Sequence, residues 1–299
     1  MDPIIDLHTH AQDVQNEPTV RPYVRGLAAF MAWPGPIWAW ELLNFHPKLA
    51  ARARGPLSTW TAFESQMRLS RATPKRLVSA MKKAGVARAV IHPVEPLSCA
   101  EEALAIARDN PSLIPFAAAD PRDAHAAEKL DKLLAAGAKG VKCHPILQQT
   151  APEDSAWRPL LEVAQARGVP VLFHAGAFQY HLFPRPSHQY GCPRRFETLL
   201  KAFPKADIVL GHMGLHESDD AIALAQRFNN VILETSFQHH SIIRRAFNAV
   251  GAERLAFGSD WPATDIASAL RQVRNALSDD ANLEKVLWQN AQRLLGLQN

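Results

Sequence analysis

Apolar and polar positions follow two rhythms along this chain. Short aliphatic and β-branched runs recur at about 3–8 (PIIDLH), 86–92 (VARAVIH), 113–118 (LIPFAA), 138–143 (AKGVKC), 169–174 (VPVLFH), 206–211 (ADIVLG), 229–234 (NVILET) and 254–258 (RLAFG). Runs this short and this apolar suit strands of a parallel sheet covered on both faces. Between them, apolar positions recur at helical spacing over roughly 74–84, 99–109, 124–136, 155–167, 194–202, 217–227, 240–250 and 265–277. In AHAAEKLDKLLAAG, for example, Ala127, Leu130, Leu133 and Leu134 share a face, and Gly137 supplies a C-terminal stop. A ninth helix is expected at about 282–295, carrying Leu283, Val286, Leu287, Leu294 and Leu295.

Eight strands each followed by a helix predict an α/β fold, a (β/α)8 TIM barrel in one domain spanning 1–299. An open doubly wound sheet would require a Gly-rich phosphate turn after its first strand. Here the first strand ends in His-Thr-His instead.

One stretch breaks the rhythm. Residues 11–73 are far longer than an ordinary βα loop. The stretch holds Phe30, Trp33, Trp38, Trp40, Phe45 and Trp60, with prolines at 34, 36, 47 and 56. That aromatic content needs a hydrophobic partner. The expectation is an insertion with short helices of its own that covers the barrel mouth or packs on a second subunit.

Composition removes several function classes. Of the 299 residues 47% are apolar and 21% charged, as in a globular domain. Lys plus Arg (33) exceed Asp plus Glu (29) by only four, without a basic stripe, so a nucleic-acid partner is not expected. Three cysteines, Cys99, Cys143 and Cys192, have no CxxC spacing, which argues against a disulfide framework or a thiolate zinc site. No apolar run approaches the roughly 20 residues that span a bilayer, and MDPIIDLHTH is not built like a signal peptide. A cytoplasmic protein acting on a small molecule, without a membrane partner and as a homo-oligomer such as a dimer, is the expectation.

The thirteen histidines fall where chemistry is expected. His8 and His10, two apart on the first strand, can project to one face and share a metal ion. Strand four ends in GVKCHP with Lys142 and His144, strand five in VLFHAG with His174, strand six in VLGHMG with His212, and strand eight in FGSDWP with Asp260. Catalytic residues of a (β/α)8 barrel gather at such C-terminal strand ends. Several imidazoles and one carboxylate suit a divalent metal, zinc above all, with positions left for water or substrate.

These motifs resemble the amidohydrolase superfamily, in particular the amidohydrolase-related branch that includes lactonases and aromatic-acid or muconate-type decarboxylases. The resemblance runs from IIDLHTH through KGVKCHP, FHAG, GHMG and GSDWP to the closing NAQRLLGL. It implies that His8, His10 and His174 bind the metal, with Asp260 as a further ligand or a partner of its water. It also implies that His212 is an acid–base or oxyanion-polarising residue, or binds a second metal. Lys142 matches the place of a lysine that is carbamylated and bridges two metals in binuclear relatives. One ion is preferred, because the branch is commonly mononuclear.

Substrate contacts are less legible. His144 either meets substrate or bonds the loop backbone. Arg185, within 175–195 beside Tyr180, His181, His188, Arg194 and Arg195, suits a carboxylate, as do Arg21, Arg25, Arg52 and Arg54. Trp261, next to Asp260, is placed to line the pocket. The leading expectation is a metal-dependent hydrolase that uses metal-activated water on an ester, lactone or amide of a small carboxylated substrate. The alternative is a nonoxidative decarboxylase of an aromatic or muconate-type acid on the same scaffold, and a third reading is a non-catalytic ligand-binding barrel.

Overall fold

A computed structural model of the protein describes residues 3–13, 35–45, 49, 57–176 and 188–297. Eight strands appear in order: β1 (Ile4–Thr9), β2 (Val86–Ile91), β3 (Leu113–Pro115), β4 (Val141–Cys143), β5 (Val171–Gly176), β6 (Ile208–Leu215), β7 (Val231–Glu234) and β8 (Leu255–Ala256). Every paired neighbour is parallel, in two runs, β1-β2-β3 and β4-β5-β6-β7-β8. Backbone hydrogen bonds close both seams. Ala117 N–H donates to Gly140 O and Lys142 N–H to Ala117 O, each at 2.8 Å, while Leu7 N–H reaches Phe257 O at 2.8 Å and Asp260 N–H reaches His8 O at 2.7 Å. The ring is therefore the expected (β/α)8 barrel.

The helices follow the apolar periodicity closely. Pro74–Ala84 and His240–Val250 match their predicted spans, and the Thr73 side chain with Pro74 behind it starts the first of them. Gly85, at φ 73°, ends it in the left-handed region. Strands β3, β4 and β8 are shorter than the apolar runs suggest, whereas β6 continues through GHMGL to Leu215.

Two cores result. The lumen is filled by Ile5, Leu7, Val90, Ile114, Phe116, Leu172, Val209, Ile232 and Ala256. Ala291, Leu294 and Leu295 of the last helix, Asn290–Leu294 with its C-cap, pack into the same cluster and plug the barrel. The second core lies between sheet and helices. Phe116 comes so near Gly140 that a Cβ there would sit 2.3 Å from its ring. The lumen layer leaves room for hydrogen alone at that position.

Within the 11–73 stretch the described residues form the helices Ile37–Phe45 and Ser58–Leu69. Trp40 and Phe45 are buried against Leu215, Phe237 and Ala263, and Leu69 packs on Val94 and Leu147. Those partners lie at or beyond the C-terminal ends of β6, β7, β8, β2 and β4. Trp38 stays 67% exposed and Trp60 37%. Phe30, Trp33 and the arginines at 21, 25, 52 and 54 lie outside the described residues. Among the described residues no helix is long and apolar enough to cross a membrane.

Candidate metal centre

β1 carries the first donors, and simple alternation does not explain their direction. Ile5 and Leu7 belong to the lumen cluster, which would send His8 outward. The pairing of β1 with β2 is irregular between Asp6 and Thr9. Past that irregularity His8 faces the lumen, as a bulge beside an active site can arrange. Asp6 anchors the bend by accepting from His8 N–H (3.2 Å), Ser259 N–H (2.9 Å) and Ser259 Oγ–H (2.6 Å). Burial pushes the Asp6 carboxyl up to about 7.

The imidazoles are oriented from behind. His8 Nδ1 lies 2.8 Å from Glu234 Oε2, and His10 Nδ1 lies 2.9 Å from the His92 carbonyl oxygen. Both acceptors require a proton on Nδ1, which leaves Nε2 of each ring turned toward the site. His10 Nε2 stands 3.0 Å from Asp260 Oδ1, and His8 Nε2 stands 3.7 Å from it. That buried oxygen takes no hydrogen bond. His8 Nε2, which accepts from Lys142 Nζ, thus converges with His10 Nε2 and the Asp260 carboxylate oxygen. A divalent cation relieves this arrangement, so the donor set of His8, His10 and Asp260 fits a metal ion.

Asp260 reaches the site from a backbone at φ 57°, a left-handed conformation that aspartate tolerates better than most residues. Its neighbour Trp261 is buried, at 8% exposure, and belongs to the hydrophobic cluster between sheet and helices.

Lys142 is fully buried and its Nζ donates to His8 Nε2 at 2.9 Å. Burial brings its ammonium down to about 8, while the charges of Asp260 and Glu234 hold it up. Its ammonium stands beside the donors. A second grouping of His8, His212 and Glu234 exists. Its carboxylate is already saturated: Glu234 accepts from His8 Nδ1, His212 N–H (2.9 Å), Ser236 Oγ–H (2.8 Å) and Ser236 N–H (2.5 Å).

His212 stacks on His8 with ring centres 4.8 Å apart, and its Nδ1 lies 2.7 Å from Ser236 Oγ. Phe237 meets the His212 ring edge-on at 5.5 Å. His174 stands beside His212 at 4.8 Å, stacked on His144 at 4.3 Å, with its Nε2 turned toward Gly176 O at 3.2 Å. It does not join the His8–His10–Asp260 group here, because that nitrogen faces the backbone. His144 receives Leu147 N–H at Nδ1 (3.3 Å), and its own N–H donates to Gln148 Oε1 (2.7 Å), so it also braces the loop after β4. Burial holds His8, His92, His144, His174 and His212 well below the ordinary imidazole range.

Arg185 lies outside the described residues. Arg194 pairs with Asp220 at 2.9 Å, and Arg195 pairs with Glu153, both near the surface. Two residues escape the sequence reading. Glu234 orients His8 and His212, and the His92 carbonyl orients His10 while its Nε2 donates to Leu7 O at 2.8 Å. Both end predicted strands, and the rule that selects His174 selects them equally.

The amidohydrolase family profile matches residues 5–297. The chain belongs to the amidohydrolase family. No curated protein matches the sequence. Among solved structures, an uncharacterised TIM-barrel protein of Bordetella bronchiseptica is similar with a TM-score of 0.72 at 19% identity, covering 99% of each chain. A dihydroxybenzoic acid decarboxylase of Polaromonas sp., solved with bound manganese and the inhibitor 2-nitroresorcinol, gives 0.66 at 20% identity over 100% of this amidohydrolase and 98% of its own chain. A probable 2-pyrone-4,6-dicarboxylic acid hydrolase of Acinetobacter baumannii, with citric acid bound, gives 0.62 at 17% identity over 99% and 100%. At such identities the likeness to these structures concerns the fold. The family itself is one of metal-dependent enzymes, hydrolases and decarboxylases among them.

Proposed function

We propose that this amidohydrolase is a metal-dependent hydrolase that cleaves an ester, lactone or amide bond of a small, carboxylated organic substrate. The observation that carries the reading is the convergence of His8 Nε2, His10 Nε2 and an Asp260 Oδ1 that takes no hydrogen bond. His8, His10 and Asp260 would hold the ion, with His174 as the further donor implied by the family resemblance. Two imidazoles and a carboxylate suit zinc, the ion proposed; manganese is the alternative, being the metal of the Polaromonas enzyme. When bound, such an ion polarises a carbonyl and brings the pKa of its water to about 7.

The chain's own groups supply the rest. The Asp260 carboxylate takes a proton from the attacking water and returns it to the leaving group. His212, buried beside His8, exchanges a proton with the reacting group at Nε2. Lys142 places a positive charge against the carboxylates and attracts an anionic substrate.

A second reading is nonoxidative decarboxylation, supported by the likeness to the dihydroxybenzoic acid decarboxylase, where Asp260 or His212 would deliver a proton to the ring carbon. An assay over carboxylated lactones, esters, amides and aromatic acids, scored for acid release and for CO2 release, separates the two. Chelator-sensitive acid release is the expected result. CO2 release without acid release would replace the first reading with the second.

A further inference from the structure

His212 can serve as a proton donor that polarises a carbonyl or as an acceptor, and which one it is depends on where its proton sits. Its Nδ1 is 2.7 Å from Ser236 Oγ, and that hydroxyl is 2.8 Å from Glu234 Oε2. A hydroxyl has one hydrogen, so Ser236 donates to only one of these partners.

The surroundings of Glu234 decide the direction. Lys142 Nζ donates to His8 Nε2, which puts the His8 proton on Nδ1 and aims it at Glu234 Oε2. The backbone N–H groups of His212 and Ser236 are obligate donors to the same carboxylate. Three fixed donors therefore already point at Glu234, and nothing around it asks for a proton in return. The Ser236 hydroxyl becomes the fourth donor, and its oxygen accepts from His212 Nδ1–H.

We infer that Glu234 and Ser236 are positioning residues that hold His212 in its Nδ1–H tautomer, leaving Nε2 as a proton acceptor turned to the site. The inference rests on the metal-dependent reading above and sharpens it: His212 enters the reaction as a base, and donates only after it has taken a proton. Among the described residues His212 Nε2 has no hydrogen-bond partner, as an acceptor waiting for substrate requires. The same carboxylate fixes His8, so one side chain sets the tautomers of a candidate ligand and a candidate base. The bond from β7 to β1 passes beside Gly258, two residues beyond β8, where a Cβ would lie 2.3 Å from Glu234 Oε1 and 2.8 Å from His8 Cβ.

Nitrogen-15 NMR of the full chain, labelled at histidine and recorded without substrate at neutral pH, tests this. His212, assigned by loss of its signals in His212→Gln, should show a protonated Nδ1 and a bare Nε2. In Ser236→Ala the His212 proton should move wholly or partly to Nε2 while the His8 signals hold. Turnover should fall about 10- to 100-fold with metal content unchanged. In Glu234→Gln both histidines should shift, and zinc affinity should fall by a similar factor. Ser236→Ala keeps the test open should Glu234→Gln fail to fold. A wild-type His212 carrying its proton on Nε2, or a Ser236→Ala spectrum identical to wild type at His212, would overturn the inference. Because the spectra need no substrate, failure of the proposed hydrolysis would leave this result standing on its own.

Discussion

Asp260→Asn keeps the size of the side chain and suits the φ of 57°, since asparagine also visits the left-handed region. It removes the basicity of Oδ1, the atom 3.0 Å from His10 Nε2. Turnover should fall by about 10² to 10⁴, the range for losing a general acid–base group. Steady-state kinetics with metal content measured in parallel checks this. Near-normal turnover at normal occupancy would remove Asp260 from the mechanism. Gly258→Ala probes the same centre from behind. Its new Cβ would press on Glu234 Oε1 at 2.3 Å and on His8 Cβ at 2.8 Å. Overpacking of this kind costs about 1–3 kcal/mol, and the displaced atoms are those that orient a ligand. Denaturant unfolding and zinc titration should show both stability and affinity reduced; wild-type affinity in a destabilised variant would show that His8 does not depend on that contact.

At the scale of elements, the helix Ile37–Phe45 docks by Trp40 and Phe45 and by the carboxylate of Glu41, which accepts from Asp265 N–H at 3.2 Å. Burial raises the Glu41 carboxyl above its ordinary value of 4.5, opposed by its hydrogen bonds to Ser268 and Asp265. A carboxyl raised on folding stabilises the docked state most fully below the ordinary value, and that contribution is lost as pH rises through the folded one. Docking of the helix should therefore loosen as pH rises from the acid range. Hydrogen exchange across 37–45 as a function of pH would reveal it, and Glu41→Gln should flatten the profile. An unchanged profile in the variant would assign the dependence to another group.

For the molecule as a whole, the donors come from β1 and from the turn after β8, which meet only because the barrel closes. An ion held between them binds the folded chain and not the unfolded one. At a free concentration of 100 times Kd it should add about 2.7 kcal/mol of stability. Chelation should lower Tm, and zinc or manganese should restore it. A Tm indifferent to chelator in protein shown to contain the metal would place the ion outside this centre.

The chain's periodicity settled the alternation of eight strands and their helices, the spans 74–84 and 240–250, and the gathering of His8, His10, His174, His212 and Asp260 at strand ends. Those features are written in spacing over a few residues, where each side chain's face follows from the repeat of its own element. The tertiary structure alone decided how the strand ends meet. The irregularity between Asp6 and Thr9 turned His8 into the lumen against plain alternation. The carbonyl of Gly176 drew the His174 Nε2. Glu234 reads in sequence as the polar end of NVILET. It becomes the group that orients His8 only when residues 226 positions apart are brought to 2.8 Å beside Gly258, which has no side chain to part them. Contacts of that kind arise from barrel closure, and no local pattern records them.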